Sequence, residues 1–244
     1  VYNIGGVFTS MVNSMSSAIS NVFSSRITTM VVKDQPIEKL SELLIRIGRI
    51  QYLVIAFIIS GYIVFGKAFI HFWSGDAYME AYYIALYTMI PLAIPLIQNV
   101  AYNTILAQKK HKFRSIIYAI IAVVNVISTY MAIPKYGIIG AAVCTAIAYV
   151  IGNGIIMNIY YYKVTKLDIP KFWLNIAKIS VVPVIFSIAG LYIVNKILII
   201  NSIKLFLIEV IAYSVLYIVC IWLISMNQYE KSIFYDMIKF IKKK

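Results

Sequence analysis

Long apolar runs, broken at short intervals by clusters of charge, set the pattern of this chain. Six runs are long enough to cross a bilayer, whose ~30 Å hydrocarbon layer takes ~20 mainly apolar residues: 50–73, 82–106, 115–133, 138–162, 172–194 and 205–226. A seventh, 2–25, is less apolar but carries no charge. Backbone groups in lipid find no water to bond, so each run must close its own hydrogen bonds as a helix. The alternating pattern of a membrane β-barrel is absent. The predicted fold class is therefore all-α, a polytopic membrane helix bundle of about seven transmembrane helices.

Two charged connections show a helical period of their own. In 33–49, Leu40, Leu43, Leu44 and Ile47 share one face; in 229–244, Ile233, Phe234, Met237, Ile238 and Ile241 do the same, ahead of a Lys242–Lys244 run. Both are predicted to lie as amphipathic helices on the membrane surface, the second drawn also to anionic lipid.

The first run is unlike the others. At 100° per residue, Asn3, Ser10, Ser14, Ser17, Asn21 and Ser24 share an arc roughly 80° wide, flanked by Thr9, Asn13, Ser16 and Ser20. Ile4, Phe8, Met11, Val12, Met15, Ile19 and Val22 take the other side. A helix lying on the surface would carry Lys and Arg on its polar face, and none precedes Arg26. The arc therefore meets either another helix, with its hydroxyls as packing glue, or a water-filled cavity. The cavity is expected, because the amides exceed what packing needs: Asn3, Ser10, Asn13, Ser14, Ser17 and Asn21 would line it, while Phe8, Met11, Met15 and Ile19 face lipid or packed helices.

The run 82–106 holds Pro91 and Pro95, each of which removes a backbone donor and frees a carbonyl four residues back. Gln98, Asn99 and Asn103 follow within two turns. Transporters place polar groups near the bilayer midplane with such broken helices; a kink without function is the plain alternative. Tyr102 and Tyr149 are added to the same expected cavity. Glu209 is an ionisable residue inside a run; about six residues from the outer end, at ~1.5 Å per residue, it is ~9 Å deep. It is expected to be an interfacial carboxylate near Lys204, with no relay partner for ion coupling.

Composition agrees with lipid as the solvent. The 244 residues are 62% hydrophobic and 13% charged, with mean hydropathy +0.86, against roughly 45–50% apolar and 25% charged in soluble domains. The net charge of +13 arrives in bursts between apolar runs, whereas a nucleic-acid-binding face needs it gathered on one surface. Eighteen of the 22 Lys and Arg fall in 26–49, 109–114, 163–178 and 231–244; Lys67, Lys135, Lys196 and Lys204 make up the rest. Positive charge marks the cytoplasmic side, which puts the C-terminus inside and, after seven crossings, Val1 outside. A chain opening there on Val-Tyr-Asn is expected to be a piece of something longer. Cys144 and Cys220 lie within apolar runs and imply neither disulfide nor metal. His71 and His111 sit at membrane edges, and neither a phosphate-cradling loop nor a metal-ligand spacing occurs, so no enzyme, cofactor or metal is expected.

At Pro134-Lys135-Tyr136-Gly137-Ile138-Ile139-Gly140-Ala141-Ala142, followed by Thr145 and Ala146, the chain resembles the "P-K-aromatic-G-x-x-G-A-A" junction of bacterial oligosaccharide flippases. These serve O-antigen, capsule and exopolysaccharide synthesis and form the polysaccharide-transporter family, within the multidrug/oligosaccharidyl-lipid/polysaccharide exporter superfamily. Val1-Tyr2-Asn3 is similar to the end of the family's "G-x-Y" approach to a helix, Phe72–Tyr78 to its outer-loop "aromatic-x-G-x-x-Y", and the basic 108–114 to a loop of that family. Ser25 departs from it, standing where a helix-ending proline is expected. Gly137 and Gly140 read, on the residues alone, as close helix packing.

The resemblance implies a C-terminal half: 1–163 as a second lobe without its first helix, 164–227 as two additional helices, and 228–244 as a basic cytoplasmic tail. It implies a transporter of the bacterial cell (inner) membrane that moves undecaprenyl-pyrophosphate-linked oligosaccharide from the cytoplasmic to the outer leaflet by alternating access, without covalent chemistry. Its partners would be the lipid bilayer, the missing N-terminal lobe, and a polymerase with other polysaccharide-assembly proteins. Arg26, Arg46 and Arg49 would attract the pyrophosphate at the cytoplasmic mouth, beside their plain role in topology. The chain alone is expected not to transport. A cation-coupled drug exporter of the same superfamily would want buried carboxylates, and only Glu209 offers one. A membrane-embedded polymerase or glycosyltransferase would need catalytic groups outside, where only Asp76 and Glu80 stand.

Overall fold

The computed structural model describes residues 2–196, 202–233 and 235, and among these every element is helical. Helix α1 spans Tyr2–Val32; with no proline at position 25 it runs past Arg26 and stops only where Asp34 takes a positive φ of 46°. Pro36, at φ −51°, then caps α2, Ile37–Ser74. The segment 33–49 is not a surface helix: Leu40, Leu43, Leu44 and Ile47 are at most 7% exposed. Nothing between 37 and 50 interrupts the helical period, so this amphipathic face continues the first membrane face as one 38-residue rod, about 57 Å long at ~1.5 Å per residue.

Gly75 ends α2 at φ 85°, and a 3₁₀ turn leads to α3, Glu80–Ile97. Pro91 and Pro95 lie inside α3, and the interruption falls just after them at Gln98 (φ −106°, ψ 19°), before α4, Asn99–Ala107. Helix α5, His111–Tyr149, contains a reversal at Gly137 (φ 58°, ψ −148°). Asn125 reaches Thr145 across it, and Tyr118 reaches Asn153. The two arms are thus antiparallel. Gly137 serves the turn, a conformation L side chains rarely adopt, and not helix packing. Gly140 serves packing: a Cβ there would stand 2.8 Å from Tyr136. The second arm passes through a π-helical turn, Val150–Ile156, into α6, Met157–Lys163. Helices α7, Ile169–Lys196, and α8, Ile203–Cys220, complete the described bundle, with a π-helical turn at Ile221–Ser225 and a helical turn at 228–233. Val1 and, of the tail face, Phe234, Met237, Ile238 and Ile241 lie outside the described residues.

Helix α2 is the spine, packed against α1, α3, α4, α7 and α8. Its core partners include Met89, Ile105 and Phe172, all fully shielded. Five helical stretches among the described residues are long and apolar enough to cross a membrane: Ile37–Ser74, Asp76–Ile97, His111–Lys163, Ile169–Lys196 and Ile203–Ser225; α1 is not among them. The chain is a membrane-embedded, multi-pass helical bundle. Three contacts gather its basic segments at one end: Asp168 N–H donates to Ser41 Oγ (3.1 Å), Tyr160 to the Lys110 carbonyl (3.1 Å), and Arg49 to Glu230.

Candidate functional site

Helix α1 carries two polar stripes with different surroundings. The inner one is consumed by packing. Thr9 and Thr88 share a hydrogen bond of 2.8 Å, and Ser16 Oγ donates to the Leu96 carbonyl at 3.1 Å. Gln51 Nε2 donates to the Ser16 carbonyl (3.2 Å) and to the Ser16 and Ser20 hydroxyls (both 3.1 Å). Asn99 Nδ2 donates to Ser16 Oγ (3.1 Å) and to the Leu96 carbonyl (2.8 Å). This fills the region where the chain breaks at Gln98. The outer stripe is open: Asn3, Ser10, Asn13, Ser14, Ser17 and Asn21 are all exposed. Among the described residues, Ser10 and Ser14 bond only carbonyls of their own helix, Val7 and Ser10. Phe8 and Ile19 pack on the core, whereas Met11 and Met15 are 52% and 45% exposed.

Gln98 belongs to a second, separate network. Its Nε2 donates to Asn158 Oδ1 (2.6 Å), which also accepts from Trp173 Nε1 (2.9 Å). Asn158 Nδ2 donates to the carbonyls of Asn153 (2.7 Å) and Gly154 (2.9 Å), within the π-helical turn. Asn153 Oδ1 accepts from Tyr118, whose oxygen accepts from Arg114 Nη2 at 3.1 Å. Tyr102 ends the chain of contacts, its ring centroid 3.8 Å from the Arg114 guanidinium. Gln98 and Asn99, adjacent in sequence, thus serve different networks, and both amides are occupied by protein. Asn103 is half-buried on α4. Tyr149 lines a groove of about 210 Å³ between the arms of α5, with Asn125 and with Tyr118 and Asn153 of that network.

The three arginines also separate. Arg26 is exposed. Arg46 lies 5.0 Å from the Tyr229 ring centroid and 3.9 Å from Glu42. Arg49 is only 7% exposed; its Nε and Nη2 donate to the two oxygens of Glu230 and Nη2 also to the Ser225 carbonyl. A buried charge needs a partner, and Glu230 supplies it, so Arg49 is not free at a mouth. Glu230 is held in turn by a reciprocal cap with Asn227, both bonds 2.9 Å.

Glu209 does not pair with Lys204: both its oxygens are shielded and lack a hydrogen-bond partner among the described residues. Among the described residues no group of three His, Cys, Asp or Glu could hold a metal, and Cys144 and Cys220 are free thiols. Sequence reasoning missed Gln51, Arg114, Asn153, Asn158 and Glu230. Gln51, Asn153 and Asn158 are lone amides within apolar runs, a signal as strong as the one at Gln98. Compared with family models, with curated proteins and with solved structures, the chain matches none.

Proposed function

We propose that this chain forms one lobe of a transporter that carries lipid-linked oligosaccharide, of the undecaprenyl-pyrophosphate type, from the cytoplasmic to the outer leaflet of a bacterial cell membrane. The observation that carries the reading is the outer stripe of α1. Six small, uncharged polar residues lie along about five turns of one helix and face away from the bundle. An amide turned unpaired to hydrocarbon costs roughly 4–8 kcal/mol on the harshest transfer scale, and water and sugar hydroxyls in a cavity would remove that cost. Uncharged donors and acceptors suit a glycan, which offers many modest hydrogen bonds.

In this reading α1 and both arms of α5 each cross the bilayer, making seven crossings, with the basic end in the cytoplasm and the C-terminus inside. A first lobe would close the cavity opposite α1, and alternating access would rock the two lobes around it. Arg26 and Arg46 remain as mouth cations for the pyrophosphate. Polymerase and other assembly proteins would use the exported product. The competing reading, a cation-coupled drug exporter, is favoured by the Glu209 carboxylate, shielded and without a hydrogen-bond partner among the described residues.

Cell-surface polysaccharide made by a flippase-deficient strain, complemented with this chain joined to a first lobe, tests the choice. Ser14→Leu with Ser17→Leu should cut export at least fivefold, while Glu209→Gln should leave it unchanged. Unchanged export in the leucine variant, present at normal level in the membrane, would sink the glycan cavity. Drug efflux lost in Glu209→Gln would establish the competitor.

A further inference from the structure

We propose that Arg114, in the first turn of α5, is a phosphate-binding site: it takes a phosphomonoester or diphosphate at the basic end of the bundle. A guanidinium offers five N–H donors in a planar fork, suited to two oxygens of one phosphate. At Arg114 the fork is placed but not filled. One Nη2 bond goes to Tyr118 at 3.1 Å. Nε is shielded from solvent and finds no acceptor among the described residues, which leaves an incoming anion the Nη1 and Nη2 hydrogens. No ion pair among the described residues includes it. The rings of Tyr102 and Tyr118, their centroids 3.8 and 4.6 Å from the guanidinium carbon, hold the group in place, so less side-chain freedom is lost when an anion docks. Arg49 shows what a structural arginine looks like in this bundle: its Nε and Nη2 are taken by Glu230 and the Ser225 carbonyl.

The surroundings favour an anion. Lys109, Lys110 and Lys112 flank Arg114 in sequence. The bond from Tyr160 to the Lys110 carbonyl, and the stacking of Tyr160 on Phe113 with centroids 4.3 Å apart, bring the end of α6 and its Lys163 beside them. Asp168 is the one acid in the 163–178 segment, and its carboxylate caps the Lys171 N–H at 3.1 Å. A phosphate, free or on a lipid, fits a guanidinium at this end of the helices; only for its identification with the pyrophosphate of a transported lipid does the inference rest on the proposed function.

The test uses the full chain in nanodiscs of zwitterionic lipid. Inorganic pyrophosphate is titrated by calorimetry, and a short-chain isoprenyl phosphate is added to the discs and read by native mass spectrometry. Arg114→Gln should weaken binding at least tenfold, the worth of a charge-assisted bond. Arg114→Lys, which keeps the charge and the fold but loses the fork, should weaken it several-fold, and Lys112→Gln less than threefold. Binding of pyrophosphate identifies a free phosphate as sufficient, and binding of the isoprenyl phosphate alone identifies a lipid head group; either supports the site. The proposal is overturned if neither probe binds the parent chain, if Arg114→Gln and Arg114→Lys both bind as the parent does, or if Lys112→Gln loses as much as Arg114→Gln, which marks diffuse charge. Export by the α1 leucine variants reads the transporter hypothesis separately.

Discussion

Arg49 on α2 and Glu230, 181 positions further along the chain, form a two-pronged buried ion pair, Nε to Oε1 at 2.5 Å and Nη2 to Oε2 at 3.0 Å. It anchors the helical turn after α8 to the spine of the bundle. Beside it lies an apolar cavity of about 590 Å³, lined by Leu53, Phe57, Tyr217, Trp222 and Met226 among others. Desolvation makes such a pair costly to break from one side: removing one partner strands the other charge, at about 3–5 kcal/mol. Glu230→Ala should therefore lower the melting temperature in detergent well beyond any exposed substitution. Arg49→Met combined with Glu230→Leu should recover most of the loss, because apolar replacements of similar volume are tolerated. No recovery in the double variant would mean that the pair is needed for its hydrogen bonds to Ser225 and Asn227 and not for charge balance.

Gly48 sets how closely α2, α3 and α7 approach. A Cβ there would lie 2.5 Å from a Phe172 ring carbon and 2.7 Å from the Ile97 carbonyl oxygen. The ring can tilt, but the carbonyl belongs to the backbone just before the break at Gln98. Gly48→Ala should cost about 1–3 kcal/mol through overpacking, seen as a drop in thermal stability. Gly61→Ala, on the same helix with nothing within 4 Å of its Cβ, should be neutral or stabilising by up to about 1 kcal/mol, since alanine is the better helix former. Equal effects at the two positions would refute the close approach.

Helix content and the ends of most apolar runs were legible because lipid forces each run to be a helix. What escaped the sequence has specific causes. The segment 33–49 has the amphipathic pattern of a surface helix, but Leu40, Leu43, Leu44 and Ile47 meet protein, and periodicity cannot tell a lipid-facing apolar stripe from a core-facing one. Gly137 and Gly140 look alike in sequence and do different work, one turning the chain and the other admitting a neighbour. Arg49 belongs to a basic cluster by position, and only the fold brings Glu230 to it. The polar arc of α1 was visible as a face, but not its division into the inner Thr9–Ser16–Ser20 stripe and the outer one, which depends on where Gln51 and Asn99 reach.

The two buried amide networks should differ in energetic weight. Asn158 makes four hydrogen bonds, accepting from Gln98 and Trp173 and donating to two carbonyls. Asn158→Leu strands the Gln98 and Trp173 donors and should destabilise by about 1–3 kcal/mol per group left unpaired. Gln51 donates to Ser16 and Ser20, but its own Oε1 has no partner among the described residues. Gln51→Leu removes that shielded, unsatisfied oxygen along with the donor, so its cost should be the smaller of the two. Thermal melts of both variants under one detergent condition decide the order, and a larger loss at Gln51 would reverse it.

The outer stripe of α1 makes the sharpest claim, because three sets of positions on one helix should respond differently to the same reagent. A thiol reacts as its thiolate and needs water to form one. After replacing Cys144 and Cys220, single cysteines at 10, 14, 17 and 21 should react quickly with a membrane-impermeant maleimide when α1 borders an aqueous cavity. Cysteines at 12, 16 and 20, whose native side chains are at most 9% exposed, should be protected by packing. Positions 11 and 15 are the discriminating set: Met11 and Met15 are open in the bundle yet apolar, so in a bilayer they should face lipid or a second lobe and stay unreactive. Labelling at 11 and 15 as fast as at 14 and 17 would place α1 in water on both sides and rule out a one-sided cavity. Protection of all three sets would instead mean that another helix covers the stripe, leaving Asn13, Ser14, Ser17 and Asn21 as a helix-packing surface.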